Sequence, residues 1–138
     1  MSDFVLDASL AMPWFLEDET DRKYSLAVLA SMAENRALVP VLWFYEIGNA
    51  LVMACRRKRI SLQQAGHFLE RLESPPIYSV EQTVSELFAL PRFAHLHSLT
   101  NYDAAYLTLA LKLRLPLATS DKRLREATVS AGVGLATV

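Results

Sequence analysis

The chain has 138 residues, enough for one domain whose core needs no disulfide or metal staple and too few for two. A formal net charge of −1 excludes a global basic field for gathering nucleic acid, and a single cysteine, Cys55, excludes an internal disulfide; with only three scattered histidines there is no thiolate-type zinc site either. Hydrophobic residues make up 52% against 21% charged, a surplus of apolar surface that predicts an oligomer or a bound protein.

Phe4-Val5-Leu6 is a short apolar run of strand type. It ends at Asp7-Ala8-Ser9, where Asp7 or Ser9 can cap a helix over 10–16. After a polar break at 18–21, apolar residues from Tyr24 to Ala33 recur at helical spacing, predicting a helix to about Asn35. Ala37-Leu38-Val39-Pro40 reads as a buried strand closed by proline, followed by a helix over 42–57. Ser61 opens another helix, which Ser74-Pro75-Pro76 stops, and Ile77-Tyr78-Ser79-Val80 reads as strand. Val84, Leu87, Phe88, Leu90 and Phe93 predict a helix that Pro91 should kink or end in part. A helix over 100–114 and a strand over 115–119 lead to Ser120-Asp121. A helix over 121–131 follows, and Gly132 and Gly134 turn the chain into a last strand over 135–138.

Residues 37–55 carry one charge in 19 positions, close to the length of a membrane span, but Pro40, Glu46, Gly48 and Asn49 interrupt them. The first residues lack the basic start and apolar stretch of a signal peptide, which predicts a cytoplasmic protein with no membrane partner. Short apolar strands alternating with helices predict an α/β fold: a three-layer α/β/α sandwich around a parallel sheet of about five strands, forming a single domain over 1–138. Right-handed crossovers in such a sheet put the strand carboxyl ends on one edge, and Asp7 and Asp121 each lie at such an end.

Four acids, Asp7, Glu46, Asp103 and Asp121, sit at strand-to-helix junctions. Gathered together they would repel one another unless a divalent cation neutralised them. Glu46 is the hardest to explain structurally, because the segment around it holds no other charge and a buried carboxylate without a partner is costly. Its alternative is the wet edge of a helix; Asn49, on the same face, is placed to orient it. Thr100-Asn101-Tyr102-Asp103 matches a helix-capping pattern, and Asp7 and Asp121 have the same ordinary explanation as N-caps. Against that stands the placement of Ser9 and Thr119, hydroxyls two residues from Asp7 and Asp121, with Ser120 between Thr119 and Asp121. Hard oxygen donors of this kind suit Mg2+ or Mn2+, which points to metal-assisted hydrolysis of a phosphodiester.

The ordered set Val5-Leu6-Asp7-Ala8-Ser9, Trp14-Phe15, Pro40, Tyr45-Glu46, Asn49-Ala50-Leu51, Tyr102-Asp103-Ala104-Ala105-Tyr106-Leu107 and Leu117-Ala118-Thr119-Ser120-Asp121 resembles PIN-domain proteins of the VapC toxin type over almost the whole chain. The resemblance implies a Mg2+- or Mn2+-dependent endoribonuclease that leaves 5′-phosphate and 3′-hydroxyl ends. Asp7, Glu46 and Asp103 would gather the principal metal and Asp121 would complete the pocket, with Ser9, Asn49, Thr119 and Ser120 in support. It also implies a homodimer silenced by a VapB-type antitoxin. Lys122 and Arg123, which follow Asp121, are candidate RNA-phosphate contacts. Arg57 and Arg59 are weaker ones, because Arg56-Arg57-Lys58-Arg59 reads first as a solvated helix end favoured by the dipole.

A phosphorelay receiver would need paired acids after the first strand and an Asp after the third; Asp7 stands alone and Val80 precedes no Asp. An Asp-x-Asp phosphatase fails at Ser9. The alternative that remains is a catalytically silent PIN-like binding module, its acids serving as caps and its apolar surplus serving a partner.

Overall fold

The computed structural model describes residues 2–16 and 22–137, so the break expected at 18–21 lies outside the described residues. Four parallel strands, β1 (Phe4–Leu6), β2 (Ala37–Pro40), β3 (Ile77–Val80) and β4 (Leu117–Ala118), form a sheet in the order β3-β2-β1-β4. Around them lie α1 (Met12–Phe15), α2 (Arg22–Ser31), α3 (Leu42–Arg56), α4 (Leu62–Arg71), α5 (Val84–Leu96), α6 (Asn101–Leu113) and α7 (Lys122–Ser130). All three residues of β1 are buried, as a strand covered on both faces requires. The fold is the α/β sandwich that the alternation of elements implies.

The sheet has four strands where five are expected. Leu135 makes a single parallel bridge to Leu117, through Leu117 N–H to the Gly134 carbonyl and Ala136 N–H to the Leu117 carbonyl. The physical reason is that β4 is two residues long and offers its outer neighbour almost nothing to pair with. Of the residues expected in that strand, Leu115 is drawn off by its amide bond to the Ala110 carbonyl at the end of α6, and Thr119 turns toward Asp7.

The helix expected over 10–16 is broken in two, a 3-10 turn at Ala8–Leu10 and then α1. Pro13 has no N–H to give to the turn before it, so the ladder stops and restarts with proline in the first turn of α1. The helix expected to reach Asn35 ends at Ser31. α5, by contrast, continues through Pro91 to Leu96, held at its start by a reciprocal box between Thr83 and Glu86. α6 is the central helix. Ala104, Ala105, Tyr106, Leu107, Leu109 and Ala110 are all buried, and it packs on β1, β2 and β4 as well as on α5 and α7.

Because β1 lies between β2 and β4, the residues just beyond these three strands meet at one edge. α3 starts there after β2. α6 precedes β4 and runs against the strand direction, which puts its N-terminus at the same edge.

Candidate active site

Asp7 follows β1 directly and is 5% exposed. Its backbone N–H bonds to the Ala118 carbonyl, which fixes it beside the end of β4. The side chain does not cap the turn that follows. Instead Asp7 Oδ2 accepts from Thr119 Oγ1 at 2.6 Å and from Ser9 Oγ at 2.7 Å. Ser120 joins the same network, its hydroxyl donating to Ser9 Oγ at 3.2 Å. Burial pushes the Asp7 carboxyl above the ordinary carboxylate range; the two hydroxyl donors oppose the rise and Asp121 adds to it.

Glu46 lies one turn into α3 and is half-buried. Its Oε1 accepts a bond from the Tyr106 hydroxyl of α6. Desolvation raises its carboxyl despite that bond, with Asp7 and Asp103 pushing the same way. Asn49, on the same helix, is exposed. Asp103 stands in the first turn of α6, where Thr100 Oγ1 accepts from its backbone N–H at 3.1 Å, but its carboxylate does not return the bond as the boxes of α4 and α5 do. Burial raises this carboxyl too, then the charges of Asp121 and Asp7, while Arg123 pulls it down. Tyr106 is pushed far up by burial and by the carboxylate it serves, so it remains a donor at every physiological pH.

Asp121 is exposed and does cap its helix, Oδ1 accepting from Leu124 N–H at 2.8 Å. It lines an open groove with Thr100, Asp103, Lys122, Arg123 and Glu126. Lys122 and Arg123 therefore border the acids. Arg57 does not: it terminates α3, and eleven residues at 1.5 Å per residue put it about 16 Å along the axis from Glu46. Arg59, in the turn beyond, shares that far end. Arg125 bonds the Thr119 carbonyl at 2.8 Å and lies over the Tyr24 ring, bracing the loop that presents Thr119, Ser120 and Asp121.

Asp7 and Asp103 each feel the charge of Asp121, and Glu46 feels those of Asp7 and Asp103, so four elements link the four acids into one electrostatic chain. Among the described residues, no three His, Cys, Asp or Glu side chains stand close enough to hold an ion as placed. One oxygen each of Asp7, Glu46 and Asp121 is taken by a protein donor, which leaves Asp7 Oδ1, Glu46 Oε2 and Asp121 Oδ2 as the oxygens not engaged in those bonds. Like charges do not close on one another without a cation between them. The donor set is carboxylate and hydroxyl oxygen throughout, which fits a hard divalent cation of the Mg2+ or Mn2+ kind and would poorly suit a soft one.

A family model described as the PIN domain matches residues 4–129. The chain belongs to the PIN-domain family. This PIN domain is 32% identical over 126 residues to Ribonuclease VapC3 of Pyrobaculum aerophilum, a match covering 88% of the chain and 92% of that relative. In structure it is similar to PAE2754 from the same organism, with a TM-score of 0.70 at 25% identity over 91% of this chain and 84% of that one. VapBC2 from Rickettsia felis, bound to a DNA fragment from their promoter, has a TM-score of 0.65 at 12% identity, covering 97% of each chain. FitAcB from Neisseria gonorrhoeae has 0.61 at 16%, covering 97% of this PIN domain and 96% of its own chain; these last two likenesses concern the fold alone.

Tyr106 had no role assigned to it from sequence. The available signal was its place one turn after Asp103 on an apolar helix, but a buried tyrosine reads first as core.

Proposed function

We propose that this PIN domain is a metal-dependent endoribonuclease and the toxin of a VapBC-type toxin–antitoxin pair. The observation that carries the reading is the meeting of four carboxylates from four elements at one sheet edge, three of them raised by burial and mutual charge, in a chain whose relative is a VapC ribonuclease. Asp7, Glu46 and Asp103 would hold Mg2+ or Mn2+, with Asp121 swinging from its cap to complete the set. Bound there, the ion supplies activation of a water and stabilisation of charge on the leaving oxygen. Ser9 and Thr119 keep Asp7 oriented, Ser120 holds Ser9, and Lys122 and Arg123 bind RNA phosphate along the groove they line.

An antitoxin of the VapB type is the proposed protein partner. Val41, Phe44 and Tyr45 on the first turn of α3 and Tyr102 on that of α6 are exposed around the acids, an apolar rim that suits a covering peptide better than it suits water. The exposed apolar residues of α5, Val84, Leu87, Phe88 and Leu96, support a homodimer through that helix. No helix among the described residues is long and apolar enough to cross a membrane, and Cys55 is a free thiol; both agree with a cytoplasmic protein.

One observation favours the silent binding module instead: Asp121 is engaged as a cap. The two readings part on metal. With Mg2+ the purified chain is expected to cut RNA, EDTA to stop it, and folded Asp103→Asn to be inactive. Mn2+ is expected to raise the melting temperature of the wild type and not that of Asp7→Asn. Equal responses to Mn2+ in both proteins would leave the module as the better account.

A further inference from the structure

Tyr106 is fully buried, the largest side chain that is so, in the middle of the central helix. Packing alone would be met by phenylalanine, whereas a phenol in the interior needs an acceptor. Tyr106 does not take one from the backbone of its own helix. It crosses to α3, where its hydroxyl donates to Glu46 Oε1, sixty residues away in sequence, and the backbone amide of Ala8 lies beside the phenol oxygen. One buried hydroxyl therefore connects α3, α6 and the segment leaving β1, the three elements that present Glu46, Asp103 and Asp7.

The engaged atom matters. With Oε1 held by the phenol, the Glu46 carboxylate is fixed about its terminal torsion, a broad two-fold rotor when unrestrained, and Oε2 is left as the oxygen that can take another partner. Among the described residues, the Tyr106 hydroxyl is the side-chain donor seen on Glu46, and Asn49 is exposed. We propose that Tyr106 is a positioning residue of the metal site: it touches neither ion nor substrate, but sets metal affinity by holding Glu46 with Oε2 presented. The proposal rests on the reading of the acids as metal ligands given above.

The rival account is that Glu46 merely satisfies a core phenol. Titration of Mn2+ at one fixed pH into wild type, Tyr106→Phe, Glu46→Gln and the double variant separates the two, with far-UV circular dichroism and metal-free melting as checks on the fold. Outer partners of ligating carboxylates typically govern metal affinity by about 10- to 100-fold. Tyr106→Phe is therefore expected to weaken Mn2+ binding by about 10-fold or more, and to add nothing in the Glu46→Gln background. Glu46→Asp, which keeps the charge but draws it back from the phenol, is expected to weaken binding similarly and non-additively with Tyr106→Phe. If Tyr106→Phe lowers the melting temperature yet binds Mn2+ as the wild type does, while Glu46→Gln does not, the positioning role is overturned and the metal site stands. If Glu46→Gln itself binds as wild type, the metal-site reading falls and takes this inference with it.

Discussion

At Asp7 two effects oppose each other, burial against a pair of short hydroxyl bonds, and burial wins. The same direction holds at Glu46 and Asp103. A carboxyl whose pKa is higher in the fold than in the unfolded chain keeps its proton in the native state over a range where the unfolded chain has released it. Stability is then greatest below the unfolded value, about 4, and declines as pH rises through it toward the folded value. In EDTA, the melting temperature of the wild type is expected to fall as pH is raised from about 4 to neutrality. Asp7→Asn, which keeps an oxygen for Thr119 and Ser9, is expected to decline less and to melt higher than wild type at neutral pH; parallel curves would remove Asp7 as a source of the strain. Glu46 was legible in sequence as a charge in an uncharged segment, and the hydroxyls of Ser9 and Thr119 by their spacing from acids. Helical spacing names only neighbours on the same helix, such as Asn49, whereas the hydroxyl that bonds Glu46, that of Tyr106, comes from across the core.

Among the elements, Ser61 marks the start of α4 in the sequence and in the fold. Ser61 with Gln64 and Thr83 with Glu86 form the capping boxes that start α4 and α5. Removing such a cap costs typically about 1 kcal/mol. Thr83→Ala is accordingly expected to lower unfolding free energy by about that amount in urea titration, and to leave Mn2+ binding untouched because α5 does not reach the acids. What was not legible depended on neighbours. β4 shrank because its flanks were claimed by α6 on one side and by Asp7 on the other, and the last strand shrank with it. The direction of α3 decided the basic residues: running away from the sheet edge, it carries Arg57 and Arg59 to the far end, while α7 starts at the edge and keeps Lys122 and Arg123 beside the groove.

For the whole molecule, the alternation of strands and helices gave the parallel sheet and its carboxyl edge, but not the order β3-β2-β1-β4 that makes β1 the middle of the site. The apolar surplus in the composition has a location as well. Phe88 is 82% exposed on α5 beside Val84 and Leu87. Light scattering coupled to gel filtration is expected to find the wild type dimeric and Phe88→Asp monomeric, with little change in the melting of the monomer because so exposed a ring contributes little to its core. A dimer that survives Phe88→Asp would move the interface elsewhere.

The bond from Thr119 to Asp7 spans 112 positions of the chain. Contacts of such separation form late, since the long intervening loop must first be closed. A chain that has paired only β1, β2 and β3 has Asp7 and Glu46 in place but lacks Thr119, Ser120 and Asp121. On the proposed activity, this delays danger during synthesis: a growing chain on the ribosome, surrounded by RNA, has no assembled nuclease until β4 and α7 have emerged and docked. The order of translation then acts as a safety interval in which an antitoxin can find the apolar rim before the site behind it is complete.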